Sequence, residues 1–309
     1  MKTEIAPHSG WDRCACISNG SLELAVTLDV GPRIISLSNP GGENVFKTYE
    51  SQLGGTGESE WMIRGGHRFW TAPEDTLRTY HIDNEPVEHM ENPATGEMVF
   101  QSEQEAGASL LKTLGIHLDP FAPCANIRHT VRNTGTETLE LAPWALSVMR
   151  AGGLEIIPLP PLGEHPRDLL PNRNLVVWPY TDLSDPRWHF GREFITLRQA
   201  ENLPPAKLGL AHREKWVAYI TGDSLFVKIL AHEEGATYPD GGCNFETFTN
   251  AEMLEIESLG PLVHLEPGTE TTLTERWALF PVEAEANIES EHELAAWLAP
   301  FLRKAEVLR

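Results

Sequence analysis

Alternation at period two runs through most of this chain, and it restricts the fold more than any other feature. In Leu22-Glu23-Leu24-Ala25-Val26-Thr27-Leu28 apolar residues recur at every second place, which puts one set of side chains on one face of a strand. Leu22–Leu28, Arg33–Ser38, Asn126–Arg132, Leu139–Met149, Phe194–Gln199, Trp216–Thr221, Ser224–Leu230, Met253–Leu259 and Thr271–Phe280 read as strands on this ground. Ser224–Leu230 is apolar almost throughout, which suits a strand covered on both faces. Asn39-Pro40-Gly41-Gly42, Asn133-Thr134-Gly135, Pro239-Asp240-Gly241-Gly242 and Glu266-Pro267-Gly268 supply turn chemistry between strands. Many strands at such spacing predict an all-β sandwich or barrel rather than alternating strand and helix units.

One helix is expected, closing the chain over about 290–305. Ser290 with Glu293 forms a capping box, and Leu294, Trp297, Leu298, Phe301 and Leu302 make one apolar stripe that packs on the sandwich. Pro300 is expected to kink or end its first part. Ser51–Thr79 and Pro158–Trp188 read as long loops, which in a compact domain are often functional. No repeat or linker divides the 309 residues, so a single domain is expected, its β-part spanning about 11–282. A boundary near Pro158 is the alternative.

The formal charge is −21. That excess repels phosphate backbones and anionic lipid, so nucleic acid and membrane are excluded as partners. Cys14, Cys16, Cys124 and Cys243 show no paired metal-finger spacing and are expected as free thiols of a cytoplasmic protein. The twelve histidines form no tight metal motif. No metal or cofactor is expected, and the N-terminal segment carries no apolar leader core.

Two clusters can carry chemistry. In Arg64-Gly65-Gly66-His67-Arg68-Phe69-Trp70-Thr71-Ala72-Pro73-Glu74, two glycines allow a sharp turn and close approach of a ligand. Arg68 can grip a carboxylate or vicinal hydroxyls, and Trp70 can stack on a sugar ring. The plainer reading is a tight turn whose Trp fills the core. The second cluster, Tyr238-Pro239-Asp240-Gly241-Gly242-Cys243-Asn244-Phe245-Glu246, runs on into Met253–Leu259. In that strand Leu254 and Ile256 face one side and Glu255 and Glu257 the other. Two carboxylates on one face raise one another's pKa, as a general base near neutrality requires. The plainer reading is a solvated sheet face. Lys228 sits in the apolar run Leu225–Ile229 and must emerge, snorkel or meet an acid. Arg187 and Trp144 are weaker candidates, each equally readable as core or surface filling.

Gly31-Pro32-Arg33-Ile34-Ile35, the GGHRFWTAPE segment, APWAL within Leu141–Met149, and YPDGGCNFETFTNAEMLEIESLGPL resemble a bacterial family of unassigned function. That family belongs to the galactose mutarotase-like (aldose 1-epimerase-like) superfamily, and the resemblance runs from about Trp11 to Phe280. It implies a large antiparallel β-supersandwich with a carbohydrate on one sheet face. It implies Glu257, in Ile256-Glu257-Ser258, as the base that takes the anomeric proton, with Glu255 as runner-up. It places His67 and Arg68 near the ligand. One departure stands out: the strand after Asn133-Thr134-Gly135 lacks the acid His of active epimerases, and Trp144 stands about there.

The expected function is acid/base chemistry on a sugar or sugar acid. The alternatives are a non-catalytic carbohydrate-binding protein, or a glycoside hydrolase or lyase using Glu246 and Glu257. Expected catalytic residues are Glu257, His67 and Glu255. Expected ligand contacts are Arg64, Arg68, Trp70, Glu74, Trp144, Arg187, Lys228, Tyr238, Asp240, Asn244 and Glu246. If Arg64, Arg68, Arg187 and Lys228 gather at the pocket, an anionic sugar is favoured over a neutral one.

Overall fold

A computed structural model describes residues 2–76, 78–105, 107–282 and 289–307. Its strands form two sheets, and every paired strand within them is antiparallel. The first sheet runs in the order Lys2–His8, Trp11–Ser18, Glu23–Thr27, Ile34–Ser38, His67–Ala72, Leu139–Met149, Leu254–Leu259, Phe245–Thr249, Ala206–Leu210 and Leu175–Val177. The second is centred on Ser224–Ile229, Glu270–Pro281 and Cys124–Asn133. This is the all-β antiparallel sandwich that the alternation predicts. All nine segments read from period two are strands, with ends moved by a residue or two.

Alternation decides what each face carries. Leu24, Val26, Leu208, Phe245, Leu254 and Ile256 of the first sheet meet Phe100, Ile116, Ile127, Tyr219, Phe226 and Trp277 of the second in one buried layer. Their sequence neighbours must then face outward, and these include Lys207, Glu246, Glu255 and Glu257. Ser224–Ile229 is covered on both sides: Phe226 joins the inter-sheet layer, while Leu225 and Val227 lie under the terminal helix.

That helix spans Glu291–Lys304, and the Ser290 side chain accepts a hydrogen bond from the Glu293 N–H. Leu294, Leu298 and Leu302 are its buried stripe against Phe194, Trp216 and Phe280. Pro300 lies inside the helix, which continues past it. The stripe packed on the sheet holds the turns on either side, so the helix does not end at Pro300. All four cysteines are free.

The expected loop 51–79 contains a strand, His67–Ala72. Its polar residues are buried on both faces, so no apolar alternation marks it. Gly65 and Gly66 precede it with φ of 96° and 70°. A Cβ at Gly65 would stand 2.1 Å from the Lys47 carbonyl oxygen, and one at Gly66 2.4 Å from that of Ile34. The glycines therefore admit neighbouring backbone, where the sequence suggested a ligand.

Candidate functional site

The outward face at the middle of the first sheet holds a cavity of about 200 Å³. Four strands of this sheet build its charged floor: His67–Ala72 supplies Arg68 and Trp70, Leu139–Met149 supplies Trp144 and Leu146, Leu254–Leu259 supplies Glu255 and Glu257, and Ala206–Leu210 supplies Lys207. Trp61, Glu74, Tyr80, Tyr180, Phe248 and Met253 complete the walls. Register fixes the neighbours: Trp144 stands opposite Trp70, Leu146 opposite both Arg68 and Glu257, and Glu246 opposite Glu257.

Glu257 is the most constrained group. Its Oε2 accepts from the Trp144 indole N–H at 2.9 Å and from Lys207 Nζ at 2.9 Å. Its Oε1 is buried with no hydrogen-bond partner. Burial lifts the Glu257 carboxyl above its ordinary value against the pull of Lys207, and the neighbouring charge of Glu255 lifts it further. Lys207 also reaches Glu246 at 2.7 Å. Burial works against the Lys207 ammonium, but Glu257 and Glu246 outweigh it and raise its pKa. Its Nζ lies 4.8 Å from the Trp144 ring centre and 4.9 Å from that of Trp178.

Arg68 forms the second charged pair, Nη1 to Glu255 Oε1 at 2.7 Å. Its guanidinium lies 4.1 Å from the Trp70 ring centre, and its Nε is buried without a partner. Trp61, Trp70 and Tyr80 pack on one another with ring centres 5.1–5.4 Å apart. Tyr80 donates a hydrogen bond to Glu74. Burial and that bond raise the Tyr80 pKa, while burial takes Tyr180 to about 12. Both phenols hold their protons at neutral pH.

Of the residues singled out from sequence, the cavity thus gathers Glu257, Glu255, Arg68, Trp70, Glu74 and Trp144, with Glu246 joined to it through Lys207. The paired glutamates do not form the solvated face of the plainer reading: Glu255 is 5% exposed and Glu257 1%. Trp70 is a wall residue, 7% exposed, with Arg68 stacked against it, so the open aromatic surfaces are Trp61, Tyr80 and Tyr180.

His67 is a correction. It is adjacent to Arg68 in a strand, so the two must face opposite ways. His67 lies in the inter-sheet layer, with Nε2 2.7 Å from His129 Nε2 and Nδ1 2.9 Å from Ser147 Oγ. Lys228 is another: it meets an acid, Glu275 at 2.8 Å, and donates to the Ile256 carbonyl, also between the sheets. Arg64 is buried against Glu58 and the Gly55 carbonyl, and Arg187 is clamped on Asp185. Neither lines the cavity. Asn244 ties His212 and Ala231 together through backbone contacts. The Tyr238 hydroxyl accepts from the Glu233 N–H, and Asp240 sits in a turn with φ of 51°. These three are local structure. With Arg64, Arg187 and Lys228 elsewhere, the basis for an anionic ligand is gone.

The hydrolase alternative also loses its pair. Glu246 and Glu257 stand side by side on adjacent strands and share one ammonium. A glycosidic bond must lie between the two carboxyls that cleave it, and here Lys207 occupies that place.

Lys207 is the main residue that sequence reasoning missed, together with Trp61, Tyr80, Phe248 and Met253. Its strand, Ala206-Lys207-Leu208-Gly209-Leu210, does alternate. A lysine flanked by inward-facing apolar residues was the available signal.

His67, His129 and Glu275 also form a group whose ligating atoms lie within 4.8 Å. The His129 Nδ1–H donates to the Leu273 carbonyl, so its Nε2 accepts, and this assigns the proton between the rings to His67 Nε2. Glu275 takes the Trp277 indole N–H at 2.7 Å and faces the Lys228 ammonium. Every ring nitrogen is partnered and a cation already adjoins the carboxylate, so the group reads as a closed hydrogen-bond network.

A second cavity of about 60 Å³ lies behind the Trp61–Arg68–Trp70 wall, next to the Lys112–Glu105 pair. It is less than a third of the volume of the first. Among the described residues no helix is long and apolar enough to cross a membrane.

No family model matches the sequence, and no curated protein matches it. Solved structures do match. A galactose mutarotase-like protein from Lactobacillus casei aligns at a TM-score of 0.56 and 10% identity, covering 86% of this chain and 100% of that one. A galactose mutarotase related enzyme from Lactobacillus acidophilus aligns at 0.53 and 11%, covering 88% and 100%. A TPR-domain containing protein from Parabacteroides distasonis aligns at 0.60 and 12%, covering 88% of this chain and 48% of that one. This chain therefore spans about half the length of that neighbour. Identities this low speak for architecture alone. Together with the two antiparallel sheets, they show that this chain has the galactose mutarotase-like fold.

Proposed function

We propose that the protein binds a single sugar ring in the cavity on the first sheet and acts on it by acid/base chemistry of the aldose 1-epimerase type, with Glu257 as base. The arrangement of Glu257 carries this reading. One oxygen is held by two donors, which fixes the carboxylate, and the other has no hydrogen-bond partner, in a residue that lines the cavity. The cavity, about 200 Å³, is smaller than the roughly 300–1,000 Å³ typical of pockets for drug-sized ligands. That suits one ring better than a glycan chain. Trp61, Tyr80 and Tyr180 offer aromatic faces to its C–H bonds, and Arg68 Nε has a donor left for a hydroxyl.

In such a reaction Glu257 Oε1 takes the proton of the anomeric hydroxyl as the C1–O5 bond breaks, and O5 takes a proton from a donor or water. The aldehyde turns and the ring recloses by the reverse transfers. A raised Glu257 pKa makes the carboxylate a stronger base than an ordinary glutamate.

One observation favours a second reading, a protein that binds sugar without turning it over. Among the described lining residues there is no histidine, and Tyr80, Tyr180 and Lys207 all hold their protons at neutral pH.

Proton exchange NMR on a panel of aldoses separates the two readings. Exchange peaks between anomers are expected, and Glu257→Gln should weaken them by about 10²–10⁴-fold. Exchange that survives the substitution removes Glu257 as base. Line broadening without exchange selects the binding reading.

A further inference from the structure

The charge count in the cavity names a class of sugar, on the carbohydrate reading above. Three carboxylates line it (Glu74, Glu255, Glu257) against two cations (Arg68, Lys207). Arg68 is neutralised by Glu255 at 2.7 Å, and its face is covered by Trp70. Lys207 is divided: the same Nζ holds Glu246 at 2.7 Å and Glu257 at 2.9 Å. Two carboxylates, each 1% exposed, therefore share one ammonium, and with both ionised one negative charge is unmatched. Both retain a buried Oε1 without a partner, and that of Glu257 belongs to a lining residue. Glu74, at the exposed rim, adds to the excess.

A buried carboxylate short of a counter-charge either takes up a proton or pairs with a cation brought by the ligand. A phosphate or carboxylate on the ligand would meet no free cation here, because both lining cations are already paired. We propose that the ligand is an amino sugar, whose ammonium is the missing partner of the Glu246–Lys207–Glu257 group and is received at Glu257 Oε1. The ring hydroxyls fall to neutral donors and to Arg68 Nε. An amine differs from the hydroxyl it replaces by little in size, so the discrimination is one of charge.

Calorimetry at neutral pH and low salt tests this with D-glucosamine, D-galactosamine and D-mannosamine. The parent hexoses, the N-acetylated forms, uronic acids and hexose 6-phosphates serve for comparison. An amino sugar should bind about tenfold or more tightly than its parent hexose, since a charge-assisted bond is roughly twice as strong as a neutral one. N-acetylation, which removes the charge, should abolish that advantage in the unaltered protein. Glu257→Gln should abolish it too, with circular dichroism confirming that the variant is folded. A parent hexose, uronate or phosphate that binds as well as or better than the amino sugar overturns the inference and leaves the carbohydrate reading standing. Binding by no member of the panel overturns both.

Discussion

Lys207 holds the site together from a position that touches two acids and two indoles. Its ammonium bridges Glu246 and Glu257 while lying against Trp144 and Trp178. Removing one member of a buried ion group leaves uncompensated charge, which costs about 3–5 kcal/mol. Lys207→Met should show a loss of that size in urea unfolding at neutral pH. Adding Glu246→Gln should recover part of it, because one of the two stranded carboxylates is then gone. A loss below about 1 kcal/mol in the single variant contradicts the bridge. At this scale the sequence was half legible. Period two put Glu255 and Glu257 on one face, and the structure puts both in the cavity. Alternation can point Lys207 outward but cannot pair it with Glu257, 50 residues away in the chain, because only the sheet order brings their strands near.

At the scale of elements, the strand His67–Ala72 shows what alternation permits and forbids. His67 and Arg68 are adjacent in sequence and so read as one cluster, but adjacency in a strand sends them to opposite faces. The buried positions of His67–Ala72 are filled by His, Arg and Thr as well as Trp and Ala, so no apolar alternation marks the segment as a strand. Strands with apolar inner faces, such as Trp216–Thr221 and Ser224–Ile229, were legible nearly to the residue. The two faces give separable predictions. His67→Gln breaks the contacts to His129 and Ser147 and should cost about 1–3 kcal/mol of stability. Sugar affinity should change little, since the ring lies between the sheets. A variant of unchanged stability that loses sugar turnover would return His67 to the catalytic role that sequence suggested.

Across the whole molecule, the two sheets enclose titratable groups whose preferred forms oppose one another. Burial depresses His67, and it takes His129 and His212 to about 4, so the folded state keeps all three neutral. The unfolded chain binds protons there first, so this stability is present above about pH 6.5 and is lost as pH falls. Glu155 behaves in the opposite sense. Burial raises its carboxyl to about 8, although Thr247 donates to it at 2.7 Å. The folded state prefers the neutral acid, so stability is lost as pH rises from about 4.5 to 8. Together these groups place the maximum of stability near pH 6–7. Glu155→Gln should flatten the alkaline limb of a urea-unfolding series and leave the acid limb in place. An unchanged alkaline limb contradicts a buried, proton-holding Glu155. The all-β architecture itself was readable from the strands and turns, whereas this inner polar layer was not. His67, His129, Glu155, Lys228, Thr247 and Glu275 sit in six different strands, and only the packing of one sheet on the other brings them together.

Sugar binding and turnover at this site both require Glu257 to be an oriented carboxylate whose unpartnered oxygen meets the sugar. The most direct measurement is the ¹³Cδ resonance of Glu257, assigned by its absence in Glu257→Gln. It should be followed against pH with and without a panel of aldoses and amino sugars. The resonance should titrate above the ordinary carboxylate value and move when a sugar binds. Titration at the ordinary value, or a resonance unmoved by a saturating sugar, would contradict the account.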